Sequence, residues 1–425
     1  LDVSEHFFRH ESGRLVAALT RVFGVHQLAL AEDVTQHAFC RALEVWKVRG
    51  IPENPSAWLL ATAKHRALDL LRRERTARNF APELSRRLDS EGAISSALDE
   101  AFLAGSVRYE QLRMMFSCCH PRLGQEAQLA LVLNILCGFG ASEIAGALLT
   151  GLAAIEKRIA RGKQTLAQTK TLFDLADAEF EARLSTVQRA LYLLFNEGYH
   201  GAGQSGAIRR ELCHEALRLT CLLGEHAPAA TPTTKALAAL MSLHAARLPA
   251  RVDAEGELLA FFEQDRRRWD GKLVADGLTL FDASATGNEL SPYHVEAAIA
   301  VAHASAPSFA ETDWSRVVEL YDRLMSVAPS PVVALNRAIA IGHHQGAARA
   351  LAELRAIAFA ERLRTYPFYP AALGEFELRL GNYEAARQQL QRAISLARND
   401  DERHFLAKRL AAAGHGGAGG GGASL

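Results

Sequence analysis

Along most of the chain, apolar residues return at i, i+3, i+4 and i+7, and strictly alternating runs are scarce. That period keeps one stripe of a 3.6-residue helix apolar, so the pattern predicts an all-α protein. Over Ala31 to Trp46 the stripe holds Phe39, Leu43 and Trp46, with Val34 and Ala38 beside them, and these are expected to face a core. Asp33, Gln36 and Glu44 fall on the opposite side, as a solvated face would. Asn54 and Pro55 announce the next helix, an N-cap followed by a proline at the first helical position. Its expected buried seam is Leu60, Ala63, Ala67 and Leu70. Further on, Ser142 is the expected cap of a short helix carrying Ile144, Ala145 and Leu148. Thr150 and Gly151 then turn the chain into a second amphipathic helix with Ile155, Ile159 and Leu166, which reads as a helix-turn-helix.

Shifts in texture divide the chain. Residues 1–80 form a compact helical set that ends in a basic run. Residues 81–108 read as a polar linker, acidic at Asp89, Glu91, Asp99 and Glu100, and 109–172 as a second small helical block. From 173 to 412 the sequence is Ala/Leu-rich with short breaks at Pro and Gly, and 413–425 is a Gly-rich tail expected to be disordered. Two stretches, Trp314 to Ile357 and Tyr369 to Leu396, look like helix pairs. In the second, Leu380-Gly381-Asn382-Tyr383 is followed by Ala385, Ala386 and Ala393, the placement of small and aromatic residues in a tetratricopeptide (TPR) unit. A TPR-like α-solenoid is therefore expected after two small helical domains.

Composition narrows the function classes. The 425 residues carry a net charge of +0, so any nucleic-acid contact must come from local clusters of basic residues. The six cysteines form no CxxC pair, which predicts reduced thiols in a cytoplasmic protein. No signal peptide is visible, and the most apolar stretch, Leu129 to Phe139, is too short to span a bilayer, so no membrane role is expected. Cys118-Cys119-His120 suits a tetrahedral metal site badly because adjacent ligands splay, and no metal is expected. Gly201-Ala202-Gly203-Gln204-Ser205-Gly206 satisfies GxGxxG but lacks the βαβ unit a dinucleotide needs, so it reads as a flexible connector and no cofactor is expected.

Two local clusters of basic residues carry candidate chemistry. On the helix after Pro55, Trp58, Thr62, His65, Asp69 and Arg72 share a face, and Lys64, Arg66, Arg73 and Arg75 add positive charge. An aromatic among cations suits single-stranded DNA, stacking for bases and charge for phosphates; a half-buried Trp on an ordinary surface helix fits the spacing equally well. On the second helix of the helix-turn-helix, Lys157, Arg158, Arg161 and Lys163 stand away from the apolar seam, where a recognition helix would hold them.

The run AEDVTQHAFCRALEVW followed by NPSAWLLATAKHRALDLLRRE resembles region two of the extracytoplasmic-function sigma factors. Tyr109 to Lys163 resembles region four of the same family, although Gly151, Leu152 and Ala154 depart from its pattern. The resemblance implies that the face of Asp33, Gln36 and Glu44 docks on the β′ clamp helices of core RNA polymerase, with the β flap as a further contact. It also implies that Trp58, Lys64, His65, Arg66, Arg72 and Arg73 serve the −10 element of promoter DNA, helped by the loop from Lys47 to Pro55, and that Lys157, Arg158, Arg161 and Lys163 serve the −35 element. No reaction would be catalysed. The charged set Arg251, Asp253, Asp265, Arg266 and Trp269, with Glu197 upstream, resembles the signature of a sigma group with a long TPR-like extension. Read from the residues alone, that set is either a salt-bridge network fixing the repeats or a site for a protein or small-molecule ligand that regulates the factor. An autonomous helix-turn-helix regulator with a TPR sensor, or a TPR scaffold, are the alternative functions.

Overall fold

The computed structural model describes residues 5–74 and 96–415, apart from 98, 149, 170–171, 177, 201–208 and 359. The predicted GxGxxG connector, Arg75, Asp89, Glu91 and residues 416–425 of the Gly-rich tail lie outside the described residues, whereas 413–415 of that tail are helical. The fold is all-α: among the described residues no strand forms, and the one β-bridge pairs Val252 with Leu258. No described helix is long and apolar enough to cross a membrane. Two compact units, 1–194 and 195–425, divide the chain.

In the first unit, α1 (Glu5–Phe23), α2 (Leu28–Arg49) and α3 (Pro55–Glu74) pack around aromatic rings. Phe8 stacks on Trp46, which is 2% exposed, and Trp46 in turn meets Trp58 edge-on with ring centroids 5.4 Å apart. Asn54 caps α3 as expected, its side-chain oxygen accepting the Ala57 N–H at 3.0 Å. The seam of α3 holds Ala63 and Ala67 as expected, both fully buried, but its first member is Leu59, and Leu60 and Leu70 are half-buried. Leu43 is also corrected, being 62% exposed. Each step of four residues advances roughly 40° beyond a full turn, which carries Leu43 past the stripe filled by Ala38, Phe39, Ala42 and Trp46.

The second block of this unit begins earlier than residue 109, with α4 (Ala104–Cys118). It continues through α5 (Gln125–Leu131), which runs into a π-turn over Val132–Leu136, and then α6 (Ala141–Ala147) and α7 (Leu152–Gln168). The cap of α6 is Gly140 rather than Ser142; its N–H donates to the Glu143 carboxylate at 2.7 Å, closing the first turn from the other side. The two blocks pack on each other. A Cβ on Gly13 of α1 would stand 2.1 Å from the carbonyl oxygen of Leu136, so only glycine permits that approach. Ion pairs Arg9–Glu143 and Lys163–Glu32 tie the same surfaces. Phe173 and Phe180 stack on Phe116 at 5.3 and 5.0 Å, so the first unit extends past Leu172 into α8 (Phe180–His200).

The second unit is a succession of helix pairs: α9 (Arg210–Glu225), α10 (Pro232–Ala245), α11 (Gly271–Ser284), α12 (Pro292–Ser305), α13 (Trp314–Val327), α14 (Pro331–Gln345), α15 (Ala347–Arg355), α16 (Phe368–Arg379), α17 (Tyr383–Ser395) and α18 (Asp400–His415). Side-chain caps start several of them: Thr231, Asp270, Asp313 and Ser330 each accept a backbone N–H from the first turn that follows. The predicted pair over Tyr369 to Leu396 is α16 and α17, joined at Gly381 in the left-handed region (φ 78°). Ala386 and Ala393 are fully buried there, and a Cβ on Gly374 would meet the Leu390 side chain at 2.8 Å. Small residues thus let the two helices close up, as the sequence pattern required.

Candidate nucleic-acid interface and the arginine cluster of the second unit

Trp58, Thr62, His65, Arg66 and Asp69 line one cleft of about 230 Å³ on α3. The opposite wall is His37 and Arg41 of α2, which the sequence reading missed. Their spacing of four puts them on one face, but only the packing of α2 against α3 turns that face towards Trp58. Trp58 is half-buried: Trp46 braces one edge of the indole, and the rest opens to the cleft. Lys64 is held by Asp99, an acidic residue of the expected linker, and so stands outside the cleft lining. Arg72 and Arg73 occupy the last turn of α3, and their side chains lie outside the described residues.

Asp33, Gln36 and Glu44 are exposed on α2, and Glu44 accepts from Arg41 at 2.7 Å. Leu43 stands exposed among them.

On α7, Ile155, Ile159, Gly162 and Leu166 face the core, and Lys157 and Arg161 project outward one turn apart. Among the described residues no carboxylate lies within 4.0 Å of either. The other two candidate cations are engaged: Arg158 pairs with Glu126, and Lys163 donates to both Glu32 carboxylate oxygens at 2.6 and 2.8 Å. Cys118 and Cys119 are buried, and burial pushes the Cys119 thiol up to about 12, far from the thiolate a metal would require.

In the second unit the charged set does not pair with itself. Glu197 holds Arg209 at 2.9 Å, Asp265 holds Arg267 at the surface, and Asp253 accepts the N–H groups of Glu255 and Glu257 in its own turn. The arginines turn to carbonyls and rings instead. Arg251 donates to the Tyr199 carbonyl and lies 4.0 Å from the centre of the Tyr199 ring. Arg266 donates to the carbonyls of His303 and Ala306 and sits 5.2 Å from the Trp269 ring. Arg247, absent from the sequence reading, sits 3.9 Å from Phe261 and 5.6 Å from Trp269. The signal for it was one cation following a helix whose neighbouring residues, Ala245, Ala246 and Leu248, are all buried.

Three histidines surround this cluster. Desolvation first, then Arg251 and Arg247, lower His200, although its side chain keeps an exposed surface; desolvation, then Arg247 and Arg266, hold His303 down to about 3. His244 lies well below its usual range for the same reasons. All three are therefore neutral near pH 7 in the folded chain, and near pH 6.5 they would titrate once unfolded. A depressed folded value means that the unfolded chain binds more protons below about pH 6.5. The stability of this unit is thus complete above that pH and falls as pH drops towards about 3. The expected result is a urea midpoint lower at pH 5 than at pH 7, with a shallower slope in His303→Gln; equal midpoints at the two pH values would contradict it.

Residues 7–77 match the sigma-70 region 2 family, which covers α1 to α3 and the Trp58 cleft. Residues 183–285 match a family of unknown function (DUF6596), whose span includes Tyr199, Arg247, Arg251, Arg266 and Trp269. The chain is 36% identical over 398 residues to the uncharacterized protein R00370 of Rhizobium meliloti (strain 1021), covering 93% of this chain and 92% of that one. The chain belongs to the family of that Rhizobium protein, and its sigma-70 region 2 makes it a member of the sigma-70 superfamily.

Proposed function

We propose that the chain is a sigma factor of the extracytoplasmic-function type, which binds core RNA polymerase, directs it to a specific promoter set and is regulated through a TPR-like second unit. The observation that carries this reading is the Trp58 cleft. It sets an aromatic ring, a hydroxyl, two histidines, two arginines and the carboxylate of Asp69 around a space of about 230 Å³, enough for one unstacked base. Extracting a base from the duplex costs a few kcal/mol, which stacking and phosphate contacts offset. Next to it, Asp33, Gln36, Leu43 and Glu44 form the surface assigned to the clamp helices. His37 falls only about 20° round α2 from Glu44, and Arg41 bonds to Glu44 itself, so the cleft adjoins the surface assigned to docking.

The helix-turn-helix of α6 and α7 is assigned to duplex −35 DNA, and Lys157 and Arg161 are its free cations. Replacing both by alanine is expected to weaken binding to promoter duplex and to lower the slope of log K against log salt by about two, one per lost phosphate contact. An unchanged slope would remove α7 from the interface.

In vitro transcription with core polymerase and genomic promoter fragments tests the whole reading. Start-site selection that depends on this chain is expected. Promoter binding that needs no polymerase would favour an autonomous regulator instead.

A further inference from the structure

We infer that Arg247, Arg251 and Arg266 form a binding site for a small, multiply charged anion, phosphoryl or polycarboxylate in chemistry. Among the described residues no carboxylate lies within 4.0 Å of any of the three guanidiniums. Glu311, the acid whose charge acts on Arg266, is bonded to Ser308. The nearby histidines are neutral, so they supply no countercharge and add no competing positive charge. Positive charges gathered in a desolvated place without a counter-ion are costly, and a bound anion removes that cost.

Unsatisfied donors point the same way. Tyr199 is 4% exposed, and its hydroxyl has no hydrogen-bond partner. Arg247 Nε and Trp269 Nε1 are likewise buried without an acceptor. A hydroxyl, a guanidinium N–H and an indole N–H are donors, so what completes them is an acceptor.

Packing alone is the competing account, in which the rings of Tyr199, Phe261 and Trp269 and the oxygens of Gln264, Tyr199, His303, Ala306 and Thr312 satisfy the arginines. The two accounts predict opposite effects of removing a charge. If these partners suffice, Arg247→Met loses a stabilising contact and lowers Tm. If an anion is needed, the anion-free protein carries an uncompensated charge, and Arg247→Met keeps or raises Tm, as replacing buried charges by apolar isosteres often does.

The site stands on the second unit alone; its role in controlling transcription rests on the sigma reading. The test uses the full-length chain, titrated with pyrophosphate, citrate and inorganic phosphate at constant ionic strength set with chloride and followed by calorimetry and thermal shift. Saturable binding of at least one probe is expected, weakened at least tenfold in Arg251→Gln and in Arg266→Gln and unchanged in the surface variant Arg267→Gln. In the absence of probe, Arg247→Met should melt no lower than the parent. No saturable binding by any of the three probes, or binding that the cluster variants leave intact, would overturn the proposal, whatever the outcome of the transcription assay. If binding holds and the factor drives no transcription, only the sigma reading fails.

Discussion

Trp58→Ala is expected to reduce promoter opening by roughly 5- to 150-fold, the range that corresponds to about 1–3 kcal/mol for stacking one base on an aromatic side chain. Core polymerase binding should stay close to that of the parent, because the docking face belongs to α2 and Trp58 to α3. The ring is well placed for this role: Trp46 fixes its edge at 5.4 Å, so little rotamer freedom is lost when a base arrives. The substitution also removes a packing contact, and a structural explanation must be separated from a functional one. Trp58→Phe keeps an aromatic face and should recover most of the opening. Arg66→Gln lies on the same cleft without touching the aromatic core, and should lower opening in the same assay. If Trp58→Ala opens promoters as fast as the parent, measured by permanganate reactivity of unpaired thymines, the cleft does not capture a base. If Trp58→Ala weakens core binding equally, the loss is one of folding.

The difference between what was readable in the chain and what was not follows from locality. The helices, the Asn54 cap and the small-residue pair around Gly374 and Ala386 depend on neighbours within a few turns, so a one-dimensional pattern contains them. The face of Trp58, Thr62, His65 and Asp69 was legible for the same reason. His37 and Arg41 were not, because they join the cleft only when α2 lies against α3. Leu43 was misplaced since a one-residue drift at the edge of a helical stripe decides between core and surface, and composition does not record it. The charged set of the second unit shows the limit most clearly. Its residues could be picked out, yet their partners could not: the acids pair with Arg209, Arg267 and their own turns, and the arginines gather around Arg247. Which opposite charges meet is a property of three-dimensional packing, and it turned an expected salt-bridge network into an uncompensated cationic cluster.

Reversing the charge of Glu32 and of Glu143 together is expected to raise promoter binding in the presence of core polymerase, by up to about thirtyfold. A −35 and a −10 element are separated by roughly 25 base pairs, or about 85 Å of duplex at 3.4 Å per step. A compact unit of the size of the first one has an expected radius of gyration of about 16 Å. The helix-turn-helix and the Trp58 cleft therefore cannot engage both elements while α1 and α2 hold the second block as they do here. Glu32–Lys163 and Arg9–Glu143 are two of the ties between them, and the first engages a cation of the recognition helix itself. A partly exposed ion pair contributes up to about 1 kcal/mol, and losing two such attractions shifts the closed-to-open balance by about 2 kcal/mol, or thirtyfold, the reversed side chains turning into solvent instead of meeting their former partners. The tight contact at Gly13 is untouched by these substitutions and still favours the closed arrangement, so the ion pairs set only part of the balance. The charge swap Glu32→Lys with Lys163→Glu rebuilds one pair in the opposite sense and separates the tie from any direct effect of Glu32 on polymerase docking. With Glu143 left intact, the swap should return solution dimensions, measured by small-angle scattering, to those of the parent, whereas Glu32→Lys alone should expand them. Identical dimensions for the parent and the single variant would mean that the pair does not hold the two blocks together.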